Sequence, residues 1–193
     1  MIQGILLAAG IGRRFQDEIP NQDKLLMTLP NNKTVLAQSA YILTQVLPNS
    51  IAVVQPNQIA RKEILQDLGL TVIESLDAKN GMGHAIADAV NQTRRAEGWL
   101  ITLADMPWID SQLILQLSTN IIEPNSIAAP KYKDRRGQPV AFGSAWFNEL
   151  SNLKGDVGAR GILRNNKINW VNWPDDSIHR DVDMPADLHY GLA

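Results

Sequence analysis

The sequence predicts an α/β fold on a mostly parallel sheet, within a single domain spanning residues 1–193. Two observations carry this. Short, continuously apolar runs alternate with stretches of helical period along the first 121 residues. The first of these runs, residues 2–8, has the habit of a parallel strand covered on both faces. A third observation bounds the size: at 193 residues, 45% apolar and 20% charged, a folded chain buries about 70% of its unfolded surface.

The elements follow in order. Residues 2–8 form an apolar run bounded by glycine, read as the first strand. Residues 35–47 repeat apolar positions at Leu36, Ala40, Leu43 and Leu47, with Thr34 as N-cap and Pro48-Asn49 as the stop. A strand at 51–54 leads to a helix at 58–68 that places Ala60, Ile64 and Leu68 on one face and ends at Gly69. Residues 70–74 are a third strand; 84–95 form a helix approached through Gly81-Met82-Gly83; 99–103 are a fourth strand, with Asp105 just beyond it. A helix over 111–121 is capped by Asp110 or Ser111. The second half is less regular. Short strands are expected at 127–130 and 139–142 with a polar loop at 131–138 between them, helices at 145–150 and 157–164, a strand at 168–173, and a last helix at 184–192 with Pro185 in its first turn. No repeat, low-complexity tract or linker interrupts the chain.

Composition excludes several function classes. There is no cysteine, which removes disulfides, thiolate metal sites and a cysteine nucleophile. His84, His179 and His189 lack the spacing of a histidine metal site. A net charge of −2 disfavours nucleic acid as a partner. The apolar start is too short for a signal peptide and has no basic flank. No apolar run approaches the roughly 18 residues of a membrane span, so a cytoplasmic protein with no membrane partner is expected.

Five motifs could carry chemistry. Leu7-Ala8-Ala9-Gly10-Ile11-Gly12-Arg13-Arg14-Phe15, with Lys24 beyond it, follows the first strand. Ligands of open α/β sheets bind outside such strand ends. Glycines admit a phosphate close to the backbone, successive N–H groups can form an anion nest, and Arg14 and Lys24 add positive charge. It is neither GxGxxG nor a P-loop; a strand-to-loop turn with solvated arginines is the plainer alternative. Asp105, in Ala104-Asp105-Met106-Pro107, stands where a carboxylate can hold a hard cation or simply cap a turn. Asp181 and Asp183, in an extended segment, point the same way and need a nearby cation unless fully solvated. Gly81 and Gly83 allow a base or ribose to approach, or serve a flexible loop. Arg135-Arg136-Gly137-Gln138 and Gly155-Asp156-Val157-Gly158-Ala159-Arg160 offer guanidinium groups to an anionic acceptor, or are solvated loop charges.

In their order, LAAGIGRRF…K, NGMGHA, LADMPWI, RRGQPVAFG, GDVGAR and RDVDMPADL resemble the molybdenum cofactor cytidylyltransferase family, within the MobA-like group of nucleotidyltransferases. The resemblance runs from Leu7 to Leu188. It implies a Rossmann-like three-layer α/β/α nucleotidyltransferase fold and a Mg²⁺-dependent transfer of CMP from CTP to the terminal phosphate of molybdopterin. It further implies that Ala8, Ala9, Gly10 and Gly12 frame the nucleotide, that Arg14 and Lys24 bind the triphosphate, and that Gly81 and Gly83 approach the base or ribose. Asp105 and Asp183 would hold Mg²⁺, Arg14, Lys24 and Asp105 would carry catalysis, and Arg136, Gln138 and Arg160 would face the acceptor. Ala9, where guanylyl-transferring relatives carry glycine, favours CTP over GTP. A molybdoenzyme or its maturation factor is the implied partner. The alternatives are another phosphorylated acceptor, GTP as donor, or a nucleotide-binding maturation chaperone without turnover. This chain departs from the family after Phe15: Gln16 stands where glycine is usual, and the stretch to Asp23 is longer and more acidic.

Overall fold

The computed structural model describes residues 1–190. Strand β1 (Ile2–Leu7) leads into a short helix α1 (Arg13–Glu18) and a 3₁₀ turn at Lys24–Leu26. Then come α2 (Val35–Val46), β2 (Ile51–Val54), α3 (Ile59–Asp67), β3 (Thr71–Glu74), α4 (Met82–Gln92), β4 (Gly98–Leu103) and α5 (Ser111–Thr119). The second half holds β5 (Ile127–Tyr132), β6 (Arg135–Arg136), β7 (Val140–Gly143), α6 (Phe147–Ser151), α7 (Arg160–Asn165) and β8 (Asn169–Asn172).

These strands make one sheet in the order β3-β2-β1-β4-β7-β5-β6, with β8 beside β5. β3, β2, β1 and β4 run parallel, as does β8 on β5. β7 pairs antiparallel with β4 and β5, and β6 with β5. Successive β1 residues point to opposite faces. Leu6 joins one apolar cluster with Leu36, Leu43, Leu65, Leu100 and Leu113. Ile5 and Leu7 join the other with Ile86, Val90, Trp99, Ile101 and Phe142. Helices therefore cover both faces, the three-layer arrangement expected. Leu36, Leu43 and Leu100 are fully buried; truncating such a leucine to alanine costs about 2–5 kcal/mol.

The register positions the site. Leu7 of β1 pairs with Leu103 of β4, so the two chains leave the sheet side by side and the glycine loop opens next to Asp105. The caps of the first half are those foreseen: Thr34 accepts the Ala37 N–H, and Asp110 that of Gln112.

The structure corrects several local expectations. Residues 13–18 are helical, and α4 begins at Met82, two residues before the predicted start. The inward face of α3 carries Arg61 and Leu65; Ala60 and Leu68 are exposed. The expected polar loop at 131–138 is largely a hairpin. Tyr132 pairs with Arg135 across Lys133-Asp134, whose φ angles of 47° and 60° suit a tight two-residue turn. Residues 144–146 are 3₁₀ before α6, and α7 starts only at Arg160. The last expected helix is a 3₁₀ segment at Pro185–His189; the end of that prediction, Leu192, lies outside the described residues. Among those residues no helix is long and apolar enough to cross a membrane.

Candidate active site

A cleft of about 630 Å³ opens at the carboxyl ends of β1 and β4, within the size range of small-molecule sites. Its walls come from the glycine loop, Lys24, Gln55, the 78–82 segment with Ala85, Leu103, Asp105 and Asp156. Ala9, Gly10, Gly12 and Gly81 line it. Ala8 is buried beneath it, and among the two arginines of the loop it is Arg13 that reaches the wall.

Lys24 is the centre of the charge arrangement. Its side chain is 9% exposed. Its Nζ donates to Asp105 Oδ2 at 2.7 Å and to the Val182 carbonyl at 2.7 Å, and lies 3.4 Å from Asp183 Oδ1. Gly12 makes room for the lysine stem: a Cβ there would sit 3.1 Å from Lys24 Cγ. Arg14 Nη1 donates to Asp183 Oδ2 at 2.6 Å from a largely exposed position. The Val182 N–H bonds the Asp105 carbonyl at 2.8 Å, which holds the 181–183 segment against the end of β4.

Three carboxylates meet here. One oxygen from each of Asp105, Asp181 and Asp183 lies within 4.8 Å of the others. Asp181 belongs to this cluster, although the sequence reading chose only Asp105 and Asp183 as metal ligands. Burial pushes the Asp181 carboxyl above the usual carboxylate range, and the charges of Asp183 and Asp105 push it further. Asp105 Oδ1 is buried and has no hydrogen-bond partner among the described residues. A buried carboxylate oxygen without a donor, beside two further carboxylates, fits a hard divalent cation.

A second, smaller pocket of about 110 Å³ adjoins the cleft; Met82, Leu103 and Asp156 line both. Arg136, Gln138 and Arg160 face this pocket together. Arg136 Nη1 is buried without a hydrogen-bond partner among the described residues. Burial lowers the Arg136 pKa from its ordinary value, and the nearby Arg160 charge lowers it further. Two guanidinium groups converge on apolar walls from Ile86, Phe142 and Leu163, an arrangement that suits an anion.

Gly83 does not line the cleft. A Cβ there would lie 2.8 Å from the Lys154 backbone, and its N–H bonds the Gly155 carbonyl at 2.8 Å. A Cβ on Gly81 would come 2.3 Å from the Gly155 carbonyl carbon. Both glycines thus let the 154–156 loop pack on the start of α4, which sets Asp156 between the two pockets. Arg61 was missed altogether. It is 3% exposed and binds the glycine loop from behind; a charged residue on the inward face of a helix was the available signal.

The profile of the MobA-like NTP transferase domain matches residues 4–170, and the chain belongs to that family. The purine catabolism protein PucB of Bacillus subtilis is 28% identical over 116 residues, 58% of this chain; the chain spans about half, 56%, of that relative's length. Rv0371c of Mycobacterium tuberculosis, solved in complex with manganese, is similar at TM-score 0.76 and 22% identity, covering 96% of this chain and 95% of that one. Molybdopterin-guanine dinucleotide biosynthesis protein A of Archaeoglobus fulgidus gives TM-score 0.66 at 16% identity, covering 97% and 95%. At these identities the two solved structures establish the shared fold.

Proposed function

We propose that this member of the MobA-like NTP transferase domain family transfers CMP from CTP to the terminal phosphate of molybdopterin and releases pyrophosphate. The observation that supports it most is the Lys24–Asp105–Asp183 cluster at the mouth of a nucleotide-sized cleft, directly beside the Arg136–Arg160 pocket. In this reading the cleft takes the nucleotide and the arginine pocket takes the acceptor's phosphate.

A phosphate oxygen of the acceptor attacks the α-phosphorus of CTP. A new P–O bond forms as the bond to the β-phosphate oxygen breaks, and pyrophosphate leaves. The nucleophile is already an anion, so no side chain has to remove a proton. The chain's contribution is alignment and charge. Lys24 and Arg14 supply positive charge to the triphosphate, and the loop N–H groups orient it. Arg136 and Arg160 hold the acceptor phosphate in line. Asp105, Asp181 and Asp183 would hold Mg²⁺, which when bound neutralises the triphosphate and polarises the α-phosphate. Manganese in the Rv0371c structure supports a divalent ion in this fold. Ala9 on the cleft wall supports the choice of CTP.

A pyrophosphate-release assay with each of the four NTPs, with and without molybdopterin, tests the reading. Mg²⁺-dependent release is expected only with CTP plus molybdopterin. Release with GTP, or with a different phosphorylated acceptor, would replace the substrate assignment. CTP binding with no release under any acceptor would point to a maturation chaperone.

A further inference from the structure

Arg61 projects from α3 toward the back of the glycine loop and touches none of the three clustered carboxylates. Its Nε and Nη2 donate to the two oxygens of Asp23 at 2.6 and 2.7 Å, the two-pronged geometry that guanidinium provides and ammonium cannot. Its Nη1 donates to the Ala8 carbonyl and, at 2.8 Å, to the Gly10 carbonyl. Between those two, the Ala9 carbonyl accepts from the Gln55 amide at 2.7 Å and the Gln58 amide at 3.2 Å. Asp23 also accepts the Leu25 N–H at 3.0 Å, which fixes the 3₁₀ turn that begins with Lys24.

The peptide bond turns these contacts into a direction. In a trans peptide the C=O of one residue and the N–H of the next point opposite ways. Three consecutive carbonyls held by Gln55, Gln58 and Arg61 therefore aim the N–H groups of Ala9, Gly10 and Ile11 away from those side chains, toward the cleft. Among the described residues these three N–H groups have no acceptor within the chain. Three aligned N–H groups form an anion nest.

We propose that Arg61 is a positioning residue of the anion-binding loop: one guanidinium sets the direction of the nest and, through Asp23, the place of Lys24. The two parts of the site are separated in sequence by the acidic stretch 16–23, and Arg61 joins them as one unit. This rests on reading the cleft as a triphosphate site.

The test uses Arg61→Gln and Asp23→Asn in the full chain, first without any ligand. Amide hydrogen exchange is followed over residues 8–18 and 24–28. Arg61→Gln should speed exchange about tenfold or more in both segments, since each loses charge-assisted bonds. Asp23→Asn should speed it in 24–28 alone. Unchanged exchange in Arg61→Gln overturns the proposal, as does equal loosening of both segments in Asp23→Asn. Should Arg61→Gln fail to fold, Arg61→Lys, which keeps the charge and loses the two-pronged contact, is measured in its place with the same expected loosening of both segments. Calorimetry with Mg²⁺–CTP and with Mg²⁺–tripolyphosphate then reads the consequence. Both affinities should fall about tenfold in Asp23→Asn and further in Arg61→Gln, with tripolyphosphate affected as much as CTP because the loop holds phosphates and not the base. Wild-type affinity in a variant whose loop has loosened overturns the positioning role. If the wild-type chain binds neither probe, the triphosphate reading fails, while the exchange data still decide whether Arg61 joins the two segments.

Discussion

The basic side chains on the two sides of the cleft are held in opposite ways. On the glycine-loop side three cations are held by carboxylates: Lys24 by Asp105 and Asp183, Arg14 by Asp183, and Arg61 by Asp23. On the other side Arg136 and Arg160 line one pocket, and Arg136 Nη1 is buried with no hydrogen-bond partner among the described residues. Paired cations and carboxylates fix geometry in advance, because each charge holds the other in place. An unpartnered pair of guanidinium groups stores repulsion that an incoming anion relieves. On the proposed reading, the first side is rigid before binding and the second is completed by its ligand.

The largest expected effect breaks the paired side. Asp105→Asn keeps the shape of the side chain and an oxygen for Lys24 but removes the charge. Turnover should fall about 10²–10³-fold, the scale of losing one electrostatic contact to a developing transition state, and Mn²⁺ affinity should fall with it. Mg²⁺-dependent pyrophosphate release at the wild-type rate would show that Asp105 holds no catalytic cation. The next effect lies on the unpaired side. Arg136→Gln removes one charge-assisted contact, worth about 1.5–3 kcal/mol. Acceptor affinity should drop about 10–100-fold while the dissociation constant for CTP stays unchanged. A parallel loss of CTP affinity would mean that the two pockets are one site.

The halves of the chain were unequally legible. The first strand, the fourth strand and Asp105 could be read because strands buried on both faces are apolar throughout and end at glycine or proline. The cleft residues Ala9, Gly10, Gly12, Lys24 and Asp105 came with them. That Asp105 and Asp183 meet could not be seen in either local pattern, since long-range contacts leave no period; only the order of motifs suggested it. Asp181 was noticed as a partner of Asp183 in direction, but its place in the cluster depends on the Val182–Asp105 backbone bond. Arg61 is hidden in the sequence because a charge on the inward face breaks the apolar stripe, and the helical period places Ala60, Ile64 and Leu68 on one face instead. The hairpin at 131–136 turns on Lys133-Asp134 without the glycine that normally marks a two-residue turn, so it read as loop.

The smallest expected effect sharpens the paired side, and its sign is the informative part. The Lys24 ammonium contacts Asp105 and Asp183, two of the three carboxylates that could hold a divalent cation. Asp105 offers the ion its other oxygen, Oδ1, yet two cations this close repel, so the ammonium disfavours ion binding. Lys24→Met removes this competitor and keeps most of the apolar stem that packs against Gly12. It also leaves three carboxylates close together with no ammonium among them, which lowers stability in the absence of metal. Mn²⁺ affinity measured by calorimetry, without nucleotide, should therefore rise about tenfold in Lys24→Met. Added Mn²⁺ should raise the melting temperature of the variant more than that of the wild type, because tighter binding to the folded state stabilises it further. Nucleotide transfer should fall in the same variant. A lysine whose role is to hold the carboxylates in place for the metal would give the reverse, weaker Mn²⁺ binding on its removal, and that result would place Lys24 among the supports of the cation site instead of among its competitors.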